Sequence, residues 1–178
     1  MAAVISELVA RSDSESVQVV QEIVRLERKI FPKHESLARS LLEEVSKKNT
    51  GLLFLKIGKG KGEEEIVGYV MYSWISSLCV SITKLAVKEN HRRQGHGEAL
   101  LKAAMQKCRT RKIQRICLHV DPMRTPAVSL YNKIGFQIDE LIECYYSSDR
   151  NAYRMYLDFV IDVILICACN AINLNCIN

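Results

Sequence analysis

The residues best suited to chemistry in this chain stand together at 92–97, as Arg92-Arg93-Gln94-Gly95-His96-Gly97. An apolar run at 82–87 precedes them and a helix-like run at 98–109 follows. A strand, a glycine turn and a helix in that order point unpaired backbone N–H groups at an anion. Gly95 and Gly97 let the backbone approach closely and take positive φ where required. Arg92 and Arg93 add charge at the same place, so the stretch reads as a pyrophosphate cradle. A two-glycine surface turn is the plain alternative. The nucleotide-hydrolase loop is excluded, because no Lys-Ser or Lys-Thr follows Gly97. The dinucleotide fingerprint is excluded as well, because Leu100 stands where its third glycine belongs.

The elements that must position this turn follow from periodicity. Residues 4–9 read as an edge strand. Residues 16–31 carry Val17, Val20, Ile23, Val24, Leu26 and Ile30 at helical spacing, with Ser14 or Ser16 as cap and Pro32 as terminator. A second short helix is expected over 37–45, with Leu37, Leu41, Leu42 and Val45 inward. Two β-type runs, 52–57 and 66–74, flank a Gly- and Lys-rich connection at 58–65 that reads as a flexible hairpin. Strands are expected at 78–87 and 113–120 around the helix at 98–109. Asp121-Pro122 ends the second of these strands. Thr125 then reads as an N-cap with Pro126 at the first helical position, and the helix stops at Gly135. Strands at 136–146 and 153–159 complete a mixed α/β order. The strand before the glycine turn and the strand after its helix form a crossover unit, so those two should be parallel.

Composition is that of an ordinary soluble domain. The chain has 178 residues, 48% hydrophobic and 25% charged, and a net charge of +5. Its basic residues are scattered, which gives nucleic-acid binding no support. Seven cysteines occur with no C-x-x-C pair, and the histidines lack ligand spacing with them, so no metal site is expected. The N-terminus lacks a secretory pattern, and the expected compartment is the cytoplasm or nucleus. The segment 160–178 holds one charge, Asp162, and is rich in asparagine. It reads as an extension appended to a domain over 1–159, too short and too polar at its end for a membrane span.

The stretch 92–97, R-x-x-G-x-G, resembles the coenzyme A signature of the GNAT superfamily of N-acetyltransferases. Ala127-Val128-Ser129-Leu130-Tyr131-Asn132-Lys133-Ile134-Gly135-Phe136 is similar to that family's A-x-x-[LF]-Y-x-[KS]-x-G-F. Leu85-Ala86-Val87 stands where the family exposes strand backbone to pantetheine. Ile30-Phe31-Pro32 and Tyr145-Tyr146 resemble peptide-gripping loops of protein N-terminal acetyltransferases, of the ribosomal-protein alanine and N-terminal methionine types.

The resemblance implies a mixed central sheet of about seven strands in β-α-α-β-β-β-α-β-α-β-β order. It implies acetyl transfer from acetyl-CoA, as co-substrate and without metal, to the α-amine of a protein N-terminus by direct attack in a ternary complex. The amides around Gln94, Gly95, His96, Gly97 and Glu98 would hold the pyrophosphate, with Arg92, Arg93 and Arg124 as further cofactor contacts. Arg124 replaces the family's usual Asn and is alternatively a merely exposed side chain. His119 is implied as general base and Tyr131 as general acid; Phe31, Pro32, Tyr145 and Tyr146 would grip the substrate. His119 has a suitable unperturbed pKa, about 6.5. Ser81 stands where the methionine-type enzymes carry a tyrosine. An auxiliary or ribosome-associated subunit is a further implied partner. Transfer to lysine or a small amine, and a non-catalytic acyl-CoA-binding module, are the alternative readings.

Overall fold

The computed structural model describes residues 3–9, 14–60 and 63–159. The extension 160–178, and with it the expected boundary near residue 159, lies outside the described residues. Seven strands form one sheet: β1 (Ala3–Glu7), β2 (Thr50–Gly60), β3 (Glu63–Trp74), β4 (Cys79–Val87), β5 (Arg115–Val120), β6 (Gln137–Ser147) and β7 (Arg150–Asp158). Their spatial order is β1-β2-β3-β4-β5-β7-β6. The helices are α1 (Ser14–Ile30), α2 (Leu41–Ser46), α3 (His96–Thr110) and α4 (Thr125–Ile134). The element order matches the expected one. β4 and β5 pair in parallel through the α3 crossover, while the other neighbouring strands pair antiparallel.

Each sheet face has its own core. On one face Leu100, Leu101, Ala104, Met105 and Cys108 of α3 pack with Val80, Ile82, Ile116, Leu118 and Val120. On the other, Val19, Ile23 and Leu26 of α1 and Leu41 and Val45 of α2 pack with Leu52, Phe54, Tyr69, Met71 and Ala86. Strand side chains alternate between faces. Ile116, Leu118 and Val120 belong to the α3 side, which leaves Cys117 and His119 on the face that carries α1 and α2.

Several local expectations need correction. Val17 is 46% exposed, and the inward stripe of α1 runs through Val19, Ile23, Leu26 and Glu27. An apolar count alone could not place an acid in that stripe. The second helix is only six residues long, and Leu42 points outward at 65% exposure. Residues 33–40 turn instead, held by Glu35 and Ser36 N–H groups donating to the Pro32 carbonyl. The connection expected at 58–65 is mostly strand, reaching Gly60 and resuming at Glu63. Thr125 is the first helical residue rather than the cap. Arg124 occupies the cap position, and no side chain caps the helix. β7 begins at Arg150, earlier than expected, because β6 and β7 close through a tight turn at Ser148 and Asp149.

Glu27 is fully buried. Its carboxylate accepts the Leu37 N–H at 2.6 Å and the Tyr69 hydroxyl, and its backbone carbonyl accepts the Phe31 N–H at 3.0 Å. Burial, and then the neighbouring Glu27 charge, push the Tyr69 phenol well above its ordinary value. This one residue anchors both ends of the loop that carries Phe31 and Pro32, the near end through its backbone and the far end through its side chain. Glu27→Ala strands one buried and one half-buried donor, an unmade bond costing about 1–3 kcal/mol where burial is complete. We expect a urea midpoint lower by the equivalent of about 3 kcal/mol; an unchanged midpoint would show that water replaces the carboxylate.

Candidate active site

β4 and β5 are paired only from Cys79↔Arg115 to Ile82↔Leu118. β4 continues beyond that point to Val87 along β3, and β5 to Val120 along β7. The two strands part, and the sheet has an internal edge at Leu85, Ala86 and Val87. A cleft of about 320 Å³ opens beside the parting. Its walls combine Ile82, Thr83, Lys84 and Leu85 of β4, His119 and Val120 of β5 with Asp121 just after it, Arg124 at the cap of α4 with Ala127 and Tyr131 within it, Tyr145 and Tyr146 of β6, and Phe31, His34 and Glu35 after α1.

Two irregularities give the cleft its lining. The β3–β4 register shifts between Met71 and Tyr72, whose partners are Lys84 and Ile82, so Thr83 is an extra residue on β4. Successive residues 82–85 can then all reach the cleft, which a regular pleat forbids. The β6–β7 register shifts again between Ile142 and Ser147, where Cys144 has φ +53°. The Cys144 N–H is held by the Asn151 side chain at 3.0 Å. This bulge turns the consecutive Tyr145 and Tyr146 toward the same cleft.

His119 stacks on Tyr145, with ring centroids 4.6 Å apart and planes inclined by 12°. Burial, and then the positive charge of Arg154, hold its imidazole below the ordinary pKa, against a weaker opposing effect of Glu140. The ring is therefore neutral at pH 7 and can accept a proton. Tyr131 is 7% exposed and packs against Phe136, with centroids 5.8 Å apart. Burial, with Tyr146 adding to it, pushes its phenol far above 10, so it keeps its proton. Tyr146 is pushed up to about 12 by burial and by Tyr145. Tyr145 meets Tyr146 edge-on at 4.9 Å.

At the glycine turn, Gly95 is the N-cap of α3 with φ +82°. The Gly95 carbonyl accepts the Ala99 N–H at 2.9 Å, and no side chain caps the helix. The N–H groups from Gly95 to Glu98 precede the first intrahelical donor, that of Ala99, and are the ones an anion would meet. A Cβ at Gly97 would stand 3.4 Å from Leu130 and 3.7 Å from Val87, so α3, α4 and β4 come close there. Arg92 donates through Nε to the Val87 carbonyl at 3.2 Å, which braces the turn on the end of β4. Arg93 has φ +62° and is exposed. The Glu98 carboxylate is occupied by Lys102 and Lys133, each at 2.7 Å.

The structure thus gathers His119, Tyr131, Leu85, Phe31, Tyr145 and Tyr146 around one cleft, with Ala86, Val87 and the glycine turn following along β4. Arg124 is the exception to the expected cofactor grouping. Its Nη2 meets Glu35 Oε2 at 2.5 Å, and its guanidinium lies 5.8 Å from the Phe31 ring, on the side of the α1–α2 loop. Pro32 is exposed and shapes that loop through its carbonyl. Ser81 pairs with Cys117 and Ser73 in the sheet and does not line the cleft.

A larger hollow of about 890 Å³ lies between α1 and the end of β4, and includes Arg92 and Lys88. It carries mixed charge and contains none of the cleft's aromatic groups.

An ion network that no local sequence pattern announces as a whole stands beside the cleft. Arg150 donates through Nη1 to Glu35 Oε1, and through Nε and Nη2 to Asp121 Oδ2 at 2.9 and 2.8 Å. Asp121 Oδ1 accepts the Met123 N–H at 2.8 Å and shapes the turn into α4. Burial opposes ionisation of Glu35, but Arg150 and Arg124 outweigh it and hold the carboxyl below its usual range. Burial is likewise outweighed at Asp121 by Arg150 and the Met123 amide. Asp121-Pro122 was the available local signal. Nothing local marks Glu35 and Arg150 as partners.

A sheet parted at a parallel pair, with a glycine turn and a helix N-terminus at the parting, is the frame of an acyl-transfer enzyme. The chain belongs to the acetyltransferase (GNAT) family, which matches residues 19–136, and it is an N-acetyltransferase. It is 29% identical over 148 residues to an N-alpha-acetyltransferase of Sulfurisphaera tokodaii, spanning 76% of this chain and 85% of that protein. Ard1 from Thermoplasma volcanium superposes with a TM-score of 0.73 at 24% identity, over 90% of this chain and all of the other. The ribosomal-protein-S18-alanine N-acetyltransferase of Escherichia coli gives 0.72 at 19% identity, over 90% and 96% of the two chains. These last two likenesses are of fold.

Proposed function

We propose that this chain transfers acetyl from acetyl-CoA to the α-amino group of protein N-termini. The observation that carries the reading is the convergence of a neutral imidazole, a protonated phenol and the Phe31, Tyr145 and Tyr146 side chains on one cleft at the strand parting. The N-alpha-acetyltransferase relative supports the same substrate class.

The residues present fit acetyl-CoA, which supplies an acetyl thioester. The α3 amides and Arg92 suit its pyrophosphate. The unpaired edge of β4 at 85–87 suits an amide-bearing arm lying beside it as a strand would. A backbone N–H near Val87 can donate to the thioester carbonyl.

Phe31 and the tyrosine pair orient the incoming amine. An α-amine has a pKa of about 7.7–8.0, so a sizeable fraction is neutral at physiological pH. As the C–N bond forms and the C–S bond breaks, His119 takes a proton from the amine nitrogen, directly or through water. The sulfur leaves as a thiolate, whose thiol pKa is much lower than that of Tyr131, so the phenol keeps its proton and stabilises the departing sulfur by donating a hydrogen bond to it. Direct attack in a ternary complex needs no cysteine nucleophile.

Incubation with acetyl-CoA and two peptide sets tests the reading: one set with free N-termini and no lysine, the other with blocked N-termini and one lysine. Mass shifts of 42 Da, about one acetyl group, are expected in the first set. Acetylation confined to the second would transfer the assignment to lysine, whose pKa of about 10.4 demands a stronger base.

A further inference from the structure

The cleft carries two cations that the acetyl-transfer chemistry does not use. Lys84 reaches it because of the β4 bulge, and Arg124 stands at the cap of α4. They flank one aromatic ring: Lys84 Nζ lies 4.0 Å and the Arg124 guanidinium 5.8 Å from the centroid of Phe31. Phe31 is the residue assigned above to the substrate.

Counting donors and acceptors shows what this pair lacks. An ammonium has three N–H donors and a guanidinium five. Among the described residues, Lys84 Nζ donates only to the Glu35 backbone carbonyl, at 2.5 Å, and Arg124 only to Glu35 Oε2. The carboxylates nearby are already engaged. Glu35 gives one oxygen to Arg150 and the other to Arg124, while Asp121 gives one to Arg150 and one to the Met123 amide. Lys84, Arg124 and Arg150 are matched in charge by Glu27, Glu35 and Asp121, but the Glu27 carboxylate is taken up by the Leu37 N–H and the Tyr69 hydroxyl, so the unused donors of Lys84 and Arg124 have no carboxylate oxygen left to them there. Burial presses the Lys84 pKa down, a sign that its ammonium has lost water that a ligand oxygen could replace.

We propose that Lys84 and Arg124 form a subsite for an acidic side chain within the first two residues of the substrate, an inference that rests on the N-terminal reading above. A carboxylate there accepts hydrogen bonds from the unused donors of both cations. A basic side chain in its place adds like charge and is disfavoured. Such charge-assisted bonds are short and strong when water is excluded.

Paired peptides test this directly. Initial rates of acetylation are measured on peptides differing only as Glu against Gln, and Asp against Asn, at residue one or two. The wild-type enzyme is expected to prefer the acid by about tenfold or more in kcat/KM, mainly through KM. The preference should fall to about one in Lys84→Gln/Arg124→Gln. In the exposed-site single variant Arg124→Gln, whose fold is not in question, it should fall part-way. Turnover of Gln and Glu peptides at equal kcat/KM overturns the subsite while leaving N-terminal acetylation standing. A preference that persists in the double variant also overturns it. A raised acetyl-CoA KM in Arg124→Gln with an unchanged Glu/Gln ratio assigns that arginine to a cofactor phosphate instead. If only blocked lysine peptides react, the N-terminal reading fails, and the proposal as stated fails with it.

Discussion

His119→Ala is expected to lower the single-turnover rate of acetyl transfer to a peptide N-terminus by about 10²-fold or more at pH 7, as loss of a general base typically does. The deficit should narrow as pH approaches 9, because the amine then loses its proton to solvent. Tyr131→Phe should reduce the rate by a similar factor with no such recovery, because its task lies at the leaving sulfur. Single-turnover measurement keeps product release from masking either effect. Wild-type rates in both variants from pH 6 to 9 would leave catalysis to positioning alone.

The same histidine has a signature in stability. Its folded pKa lies below the ordinary value of about 6.5, chiefly through burial. As pH falls below that value the unfolded chain takes up a proton before the folded one, so stability declines through this window. In His119→Ala this part of the decline should be absent.

Gly95→Pro is expected to weaken acetyl-CoA binding by at least about 10²-fold, the loss of one or two charge-assisted hydrogen bonds. Proline is locked near φ −65°, whereas residue 95 sits at +82°, and proline also removes the N–H at the helix cap. The change strains the turn, but the turn is exposed and a Cβ there meets nothing within 4 Å, so the strain should stay local and the fold persist, as circular dichroism of the variant would show. Calorimetry on the folded variant gives the answer; unchanged affinity would remove the turn from the binding site.

The features legible in the sequence were those written in neighbouring residues. The glycine turn, the α3 and α4 patterns, the stop at Gly135 and the parallel crossover all depend on spacings of a few positions. Phe31 and the tyrosine pair were legible as types, but not as a group. What brings Tyr145 and Tyr146 to one side is a bulge whose pivot, Cys144, has no turn-forming side chain. The length of α2 was lost for a similar reason. Glu27 sits in an apolar stripe and reaches across to the Leu37 amide, so residues before Leu41 coil around it. The Glu35, Asp121 and Arg150 network lay furthest from view. Glu35 and Arg150 are 115 positions apart, and only folding makes them neighbours.

The parting of β4 and β5 has a consequence for the protein between turnovers. A strand edge inside a sheet leaves main-chain groups that water must satisfy until something lies along them. Whatever occupies that edge binds the folded chain and not the unfolded one, so it adds RT ln(1 + [L]/Kd) to the folding free energy, about 2.7 kcal/mol at a hundred times Kd. If the occupant is the acyl donor, as proposed above, resistance of this chain to unfolding and to proteolysis rises and falls with its supply. Scarcity of acetyl-CoA would deplete the enzyme as well as idle it.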